Sequence, residues 1–484
     1  MFRPLCIGIG FVLAAASAQA QTFRTLHSFP GPGEGSSPAP LMQASDGLFY
    51  GVNQLDGANG RGTLFRMTSN GTLNVIHAFT GGEDGGRPGS QLVQGIDGHL
   101  YGTTAEGGLY NRGVAFRLTL AGDFAVVHAF GATPDEGRIP GALAQGADGV
   151  FYGTSCSGGA NDQGTVFRMT SAGDVTTLYS FTDGTGGRCP YGLLIATDGN
   201  FYGTASGGTL GLGIAFRLTP SGTFTNLHDF VRTLEGGSPG PLLQSKFDGL
   251  LYGTTRGGGL LDFSSGILYR MTTAGAFQVL HTFGSGGSAG AFPAGRLVEG
   301  TDGNFYGVTE NGGRPFSYFT TTGTVFRVTR GGAHTALRLL FADFDGMNPR
   351  TGLVQGSDGH LYGSTANGGF SGYGTIFRVE TYICTNTVEA SYAPEFQSLN
   401  LSFRFQSAGA GTWTMSALTT AGLTQLWSVP IAPVSLPNGF GTGFDLRPSG
   451  PILFITRLDV PGFGSCGGFS FVDTGTNVAR TSIR

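Results

Sequence analysis

Seven aspartates recur at nearly even spacing, each opening the signature Asp-Gly-x-x-Tyr-Gly. The signatures begin at Asp46, Asp97, Asp148, Asp198, Asp248, Asp302 and Asp358. Carboxylates can ligate metals or carry protons in acid–base catalysis. Asp-Gly, however, is also a favoured dipeptide for tight hairpin turns, and the calcium-loop pattern Asp-x-Asp-x-Asp-Gly does not occur. We therefore predict structural turns and no metal site.

Arginine and histidine also recur once per repeat. Seven arginines each follow an aromatic residue: Arg66, Arg117, Arg168, Arg217, Arg270, Arg327 and Arg378. Five of the eight histidines stand two residues before a phenylalanine: His27, His77, His128, His228 and His281. A single asymmetric site would not need one copy in every repeat, so we expect both sets to support the repeat itself.

Aromatic residues and one arginine occupy the segments that depart most from the repeat, 284–295 and 310–322, and a loop of the next repeat. The candidate ligand-binding residues are Phe292, Arg314, Phe316, Tyr318, Phe319, Phe370 and Tyr373. Aromatic faces beside a few polar groups could hold a sugar, a peptide or a protein loop. The alternative is that these residues pack against one another or against the C-terminal region.

No catalytic centre is evident, so we expect no catalytic residues, no cofactor and no enzyme activity. Acids in the loops, such as Glu106, Glu235 and Glu310, are scattered through different repeats. The alternative function is a carbohydrate-active enzyme, a hydrolase or lyase, that uses the loops. A glycosidase of this kind would need two carboxylates facing each other across a substrate.

The elements that position these residues follow from the spacing, which is 50 to 56 residues between turn aspartates. The second repeat contains apolar or alternating segments at 92–94, 100–104, 114–119 and 124–130, separated by glycine-rich turns. A glycine- and aromatic-rich period of about 50 residues is typical of a four-stranded propeller blade. We therefore predict an all-β fold with a seven-bladed β-propeller over residues 21–380.

Each predicted blade carries a core leucine in its first strand and a phenylalanine at the end of its fourth. The leucines are Leu41, Leu92, Leu143, Leu193, Leu243, Leu297 and Leu353. The phenylalanines are Phe29, Phe79, Phe130, Phe181, Phe230, Phe283 and Phe341. The chain starts with a fourth strand, 22–29, and the last repeat ends after its third, 374–379. The N-terminal strand is therefore predicted to complete the last blade and close the ring.

The segment 198–204, with Gly207-Gly208 and 214–222, resembles the GloVer tandem-repeat (choice-of-anchor) family of exported bacterial repeat proteins. All seven repeats, from Thr22 to Val379, carry the pattern. The resemblance implies an exported protein and brings no established catalytic residues. The C-terminus lacks the apolar tail and basic cluster of the usual anchors, so we do not expect such an anchor.

Residues 1–20 have the features of a secretory signal peptide, with Arg3, a short apolar stretch and Ala18-Gln19-Ala20 before the cleavage point. No later segment is expected to span a membrane. We expect an exported protein that is periplasmic, cell-surface or extracellular. The formal charge of −4 and the lack of a basic patch argue against nucleic-acid binding.

Residues 381–484 lack the repeat, and their alternating apolar segments predict a small β-sandwich-like domain. In an oxidising compartment, four cysteines outside the signal segment favour the disulfides Cys156–Cys189 and Cys384–Cys466, although buried free thiols are the alternative. The leading interpretation is an exported, non-enzymatic binding or cell-surface scaffold. The sequence does not identify its partner, and we expect a carbohydrate or a surface protein.

Overall fold

A computed structural model describes residues 22–380 except 232–234, 259–264, 285–289 and 313–321, together with the backbone of seven strands between 387 and 472. The chain divides into two compact units, one of which is Phe23–Glu380. The predicted signal peptide and Cys384 lie outside the described residues. Among the described residues, no helix is long and apolar enough to cross a membrane.

Seven antiparallel four-stranded blades make up the unit Phe23–Glu380, and each is numbered here by its turn aspartate in chain order. The first strand is split in blades 1, 2 and 5. Blade 1 contains Ser36–Pro38 with Met42–Gln43, Phe49–Leu55, Thr63–Met67 and Leu73–Ala78. Blade 2 contains Gly86–Pro88 with Val93–Gln94, Leu100–Glu106, Val114–Leu118 and Phe124–Ala129. Blade 3 contains Gly137–Gln145, Phe151–Gly158, Thr165–Met169 and Val175–Ser180.

The remaining blades follow the same plan. Blade 4 contains Arg188–Ile195, Phe201–Ser206, Ile214–Leu218 and Phe224–Asp229. Blade 5 contains Gly237–Pro239 with Leu243–Gln244, Leu251–Gly257, Ile267–Met271 and Phe277–Thr282. Blade 6 contains Ala291–Glu299, Phe305–Asn311, Thr324–Val328 and His334–Leu339. Blade 7 contains Val354–Gln355, Leu361–Thr365, Thr375–Glu380 and, from the other end of the unit, Thr22–Ser28. A 3-10 turn, Gly184–Gly186, precedes blade 4.

The N-terminal strand closes the ring, as predicted. It pairs with Thr375–Glu380, and the Phe29 amide donates to the Gly374 carbonyl at 3.1 Å. The Phe23 ring stacks on Phe377 with 5.0 Å between centroids. Blade 7 also joins blade 1 on the turn side, where the Ser357 amide donates to Gln43 Oε1 at 2.7 Å. The prediction of a closed seven-bladed propeller is therefore confirmed.

In two blades, the buried residue lies one position away from the residue that the repeat pattern gives. In blade 5, Leu242 is buried and Leu243 is only half-buried, because the turn is one residue longer and Gly249 donates to Ser245. At the end of the blade 6 fourth strand, Leu340 is buried whereas Phe341 is exposed. The Leu340 amide donates to the Gly323 carbonyl at 3.0 Å, which is the bond that Phe29 makes at its own blade.

Between residues 387 and 472, the described backbone forms seven strands in two antiparallel sheets. These strands agree with the all-β prediction, whereas the packing of the two sheets as a sandwich stays a prediction. One sheet pairs Ser398–Arg404 with Thr387–Ala393 and Phe440–Asp445. The other has the order Gly422–Ile431, Gly411–Thr419, Ile452–Val460 and Gly464–Val472. The strands Thr387–Ala393 and Phe440–Asp445 were not predicted. Cys466 lies in the last strand, but its side chain is outside the described residues, so Cys384–Cys466 stays a prediction.

Candidate functional site

The repeated signature is an internal hydrogen-bonding device. In every blade, one oxygen of the turn aspartate accepts the amide of the residue two positions later, at 3.0–3.1 Å. The other oxygen accepts the hydroxyl of the signature tyrosine at 2.6–2.9 Å. Burial and this carboxylate raise the pKa of Tyr101 to about 12. These aspartates therefore hold their own hairpins.

The glycine after the signature tyrosine is required by close packing. A Cβ on Gly102 would lie 2.5 Å from the Phe116 ring and 2.6 Å from Leu92. The third-strand aromatic ring thus packs directly on the backbone of the second strand. The signature residues accordingly specify the blade rather than a ligand.

Four of the repeated histidines bind an acid in the connection to the next blade. The pairs are His27–Glu34 at 2.8 Å, His77–Asp84 at 3.0 Å, His128–Glu136 at 2.5 Å and His228–Glu235 at 2.7 Å. Burial alone would raise the pKa of Glu136, but hydrogen bonds from His128 and from two backbone amides lower it. In blade 6, Arg338 stands at the histidine position and Asp345 at the position of the acid, with 2.6 Å between the guanidinium nitrogen and the carboxylate oxygen. The pairs fasten each connection to the blade before it.

The three acids expected in loops are each held by a basic side chain, and Glu106 and Glu310 lie at the ends of second strands. Glu106 contacts Arg61 and Arg87, Glu235 contacts His228, and Glu310 contacts Arg256 at 2.7 Å. In the described part of the chain, no group of three or more His, Cys, Asp or Glu side chains is placed to hold a metal ion.

One face of the propeller carries the loops between second and third strands together with the connections between blades. The amide of Gly108, in the blade 2 loop, donates to the carbonyl of Gly82, in the preceding connection, at 2.8 Å. The predicted disulfide between Cys156 and Cys189 is present on this side, but it joins the end of the blade 3 second strand to the start of the blade 4 first strand rather than a loop to a connection. The Asp-Gly hairpins leave the opposite ends of the same strands. We call the first surface the loop face and the second the hairpin face.

The loop face displays one unusual residue per blade, just before a proline at the start of the first strand. These rim residues are Ser37, Arg87, Ile139, Cys189, Ser238, Phe292 and Asn348, and all have φ between 44° and 59°. Each donates its amide to a carbonyl of the preceding blade at 2.8–3.4 Å. Positive φ is strained for residues other than glycine, and Ile and Phe are genuine outliers there. The same backbone geometry at the rim thus displays a different side chain on the loop face in most blades.

The predicted ligand-binding residues that the structure describes lie on this face but have different neighbours. Phe292 is a rim residue, and the Arg256 guanidinium stands 5.5 Å from its ring centroid. Tyr373 is half-buried, and its carbonyl accepts the Ser37 amide at 3.4 Å. Phe370 is 78% exposed. Arg314, Phe316, Tyr318 and Phe319 lie outside the described residues, so their placement stays a prediction.

Sequence reasoning missed Phe344, which is 60% exposed and meets Phe370 edge to face with 5.9 Å between ring centroids. Phe344 belongs to the connection before blade 7, and Phe370 belongs to the blade 7 loop. The loop and connection are tied by a bond from the Gly369 amide to the Ala342 carbonyl at 2.7 Å. The signal for this pair was the connection sequence Phe341-Ala342-Asp343-Phe344, in which two aromatic residues follow the fourth strand of blade 6.

Comparison with known proteins adds fold relatives and a repeat family. The extracellular domain of a hybrid two-component system from B. thetaiotaomicron is 13% identical, with a TM-score of 0.52. The alignment covers 94% of this chain and 59% of that one. A second such domain from B. thetaiotaomicron is 10% identical over 93% of this chain and 57% of that chain, with a TM-score of 0.49. At these identities the likeness concerns the fold alone.

A hydrolase is also among the similar structures. The puromycin-hydrolyzing peptidase of Mycobacterium tuberculosis is 10% identical over 80% of this chain and 62% of that chain, with a TM-score of 0.45. No curated protein matches the chain. The model of the Gloeobacter/Verrucomicrobia repeat matches residues 8–209, 94–322 and 190–429.

Proposed function

The three overlapping matches to the repeat model extend over most of the chain, so the chain belongs to the Gloeobacter/Verrucomicrobia repeat family. On this basis, we propose that the protein is an exported, non-enzymatic binding scaffold. The ligand would bind on the loop face of the propeller. Binding residues tend to occupy loops that a rigid scaffold positions.

The rim residues carry this proposal. The chain has 88 glycines, and many of them occupy positive φ elsewhere in the propeller. Glycine would adopt the rim geometry without strain, yet none of the seven rim positions has it. Strain retained at a repeated, partly exposed position favours a use for the side chain. Residues that stay constant from blade to blade are occupied in structural bonds, whereas the rim residues vary.

The exposed pair Phe344 and Phe370 supplies an apolar contact surface on the same face. Two phenylalanine rings that remain largely in water favour a partner with an apolar face, such as a sugar ring or a protein loop. The loop acids favour binding over catalysis, because each carboxylate is already held by an arginine or a histidine side chain. Export is supported by the signal-like N-terminal sequence and by the Cys156–Cys189 disulfide, which suits an oxidising compartment.

The test is a glycan array with polysaccharide pull-down, using the full chain and the double variant Phe344→Ala/Phe370→Ala. We expect saturable binding that the double variant weakens about thirtyfold, because each of the two aromatic contacts contributes about 1 kcal/mol to binding. The matched control is Ile96→Ala, since Ile96 is also 78% exposed but lies at a hairpin. It should leave binding unchanged.

Two outcomes would contradict the proposal. An equal loss of binding in Ile96→Ala would show that general surface hydrophobicity, and not the loop face, holds the ligand. Release of new reducing ends from a polysaccharide by the wild-type chain would establish the enzymatic alternative. That enzyme assay uses the same polysaccharides, so both readouts come from one set of samples.

A further inference from the structure

A groove crosses the loop face where blades 1, 2 and 3 meet. Its lining includes Arg61 from the blade 1 loop, Glu106 from the end of the blade 2 second strand, Arg112 from the blade 2 loop, and the blade 3 rim residue Ile139. Arg87, the rim residue of blade 2, borders the groove through its contact with Glu106. The groove therefore gathers charged side chains from consecutive blades in one open surface feature.

The charges in the groove do not balance. Glu106 binds the Arg61 guanidinium at 3.2 Å and the Arg87 guanidinium at 3.1 Å, one with each carboxylate oxygen. Among the described residues, no ion pair reaches the exposed Arg112. Around the groove, one carboxylate is thus set against two paired guanidinium groups and a third that lines the groove without an ion pair, in a protein whose formal charge is −4. Guanidinium groups bind carboxylate and sulfate oxygens with paired, directional hydrogen bonds.

The backbone holds these arginines in register with the rim. The Arg87 amide donates to the Arg61 carbonyl at 2.8 Å, and the Ile139 amide donates to the Arg112 carbonyl at 3.1 Å. Arg87 and Ile139 both have positive φ, where glycine would be free of strain. Tyr110, two residues before Arg112 in the same loop, is 44% exposed and adds an aromatic side chain to this part of the loop face.

We propose that this groove binds an acidic polysaccharide through the carboxylate or sulfate groups along its chain. The proposal rests on the proposed function and names the ligand class of its loop face. A sugar polymer suits the place better than a nucleic acid does. The cations form one local cluster on a net-negative protein, whereas nucleic-acid binding draws on broad basic surfaces. The tyrosine of the same loop could pack on a sugar ring.

The experiment measures binding of the full chain to polygalacturonate, dextran sulfate, neutral dextran and a single-stranded DNA oligonucleotide at fixed salt. We expect binding to at least one of the two acidic polysaccharides, and the comparison tells carboxylate from sulfate. Arg112→Ala should weaken it about tenfold, as expected for loss of a charge-assisted hydrogen bond. The matched control is Arg24→Ala, an exposed arginine of the N-terminal strand that removes the same charge elsewhere. It should change affinity less than about twofold.

A second variant separates a ligand role from a structural one. Glu106→Gln breaks the ion pairs with Arg61 and Arg87 but frees both guanidinium groups. It should therefore strengthen binding to the acidic polymer, which a loss of structure would not do. Three results would overturn the proposal. They are an equal loss of affinity in Arg112→Ala and Arg24→Ala, no binding to either acidic polysaccharide, and tighter binding to DNA than to these polymers. If the chain did not bind acidic polysaccharides but still bound glycans through Phe344 and Phe370, the groove proposal would fail and the proposed function would stand.

Discussion

At the residue scale, the signature aspartates and tyrosines show how a repeated polar pair serves the fold. The tyrosine ring is buried while its hydroxyl reaches the carboxylate of the turn four residues earlier. The same two bonds occur in all seven blades, so the pair fixes both the hairpin and the second strand. A catalytic or metal-binding role for these carboxylates would have to compete with those bonds.

Tyr101→Phe should lower the free energy of unfolding by about 1–2 kcal/mol, because the hydrogen bond to the Asp97 carboxylate is lost while the ring is kept. Urea unfolding measures the change. Tyr110→Phe is the control, since Tyr110 is partly exposed on a loop. Equal stabilities of Tyr101→Phe and the wild type would contradict a structural role for the pair.

Rim strain also makes a prediction at this scale. Ile139→Gly should stabilise the protein by about 1 kcal/mol, because glycine adopts the φ of 55° without steric cost. The same change should weaken acidic polysaccharide binding at the groove. Ile96→Gly, at an exposed position without positive φ, should instead lower stability. A loss of stability in Ile139→Gly would show that the rim geometry costs little.

At the element scale, stacked rings join the fourth strands of several pairs of neighbouring blades. His77 stacks on Phe124 with 4.0 Å between ring centroids, and His228 stacks on Phe277 at 4.2 Å. Between blades 5 and 6 the pair is His281 on His334, at 4.5 Å. Burial and, to a lesser degree, the nearby His281 lower the pKa of His334 to about 4. Burial also lowers the pKa of His281, so both imidazoles are neutral at neutral pH.

His334→Phe creates the histidine–phenylalanine pair found between blades 1 and 2 and between blades 4 and 5, and removes one partly buried base. A histidine whose folded pKa lies below its unfolded value stabilises the neutral-pH fold and loses that contribution as pH falls from about 6.5 towards 4. We therefore expect the free energy of unfolding of the variant, relative to that of the wild type, to be about 1 kcal/mol higher at pH 5 than at pH 8, allowing for the partial exposure of His334. Urea unfolding at both pH values tests this. A constant difference would contradict it.

At the scale of the whole molecule, periodicity made the ring predictable. The repeats begin with a fourth strand and end with a third strand. This order was enough to predict that residues 22–29 complete the last blade and close the ring. Local packing was harder to predict. Leu242 replaced Leu243 because a turn gained one residue, and Leu340 replaced Phe341 because two adjacent apolar residues competed for one site. The rim could not be foreseen, because a residue before proline is normally expected to be extended.

The candidate site was only partly predictable for the same reason. Exposed loop aromatics were visible in the sequence, and Phe370 lies on the loop face as expected. Its partner Phe344 and the groove of Arg61, Arg87 and Arg112 depend on contacts between consecutive blades, which carry no signal within one repeat. The propeller brings them together only once the ring is formed.

Ring closure is the claim on which the loop face, the rim and the groove all depend. Hydrogen–deuterium exchange of the full chain tests it directly, because a strand paired inside a closed blade exchanges slowly. We predict that amides of Thr22–Ser28 paired to Thr375–Glu380 are protected to the same degree as those of fourth strands such as Phe124–Ala129. Rapid exchange across Thr22–Ser28, with the other fourth strands protected, would contradict the closed propeller.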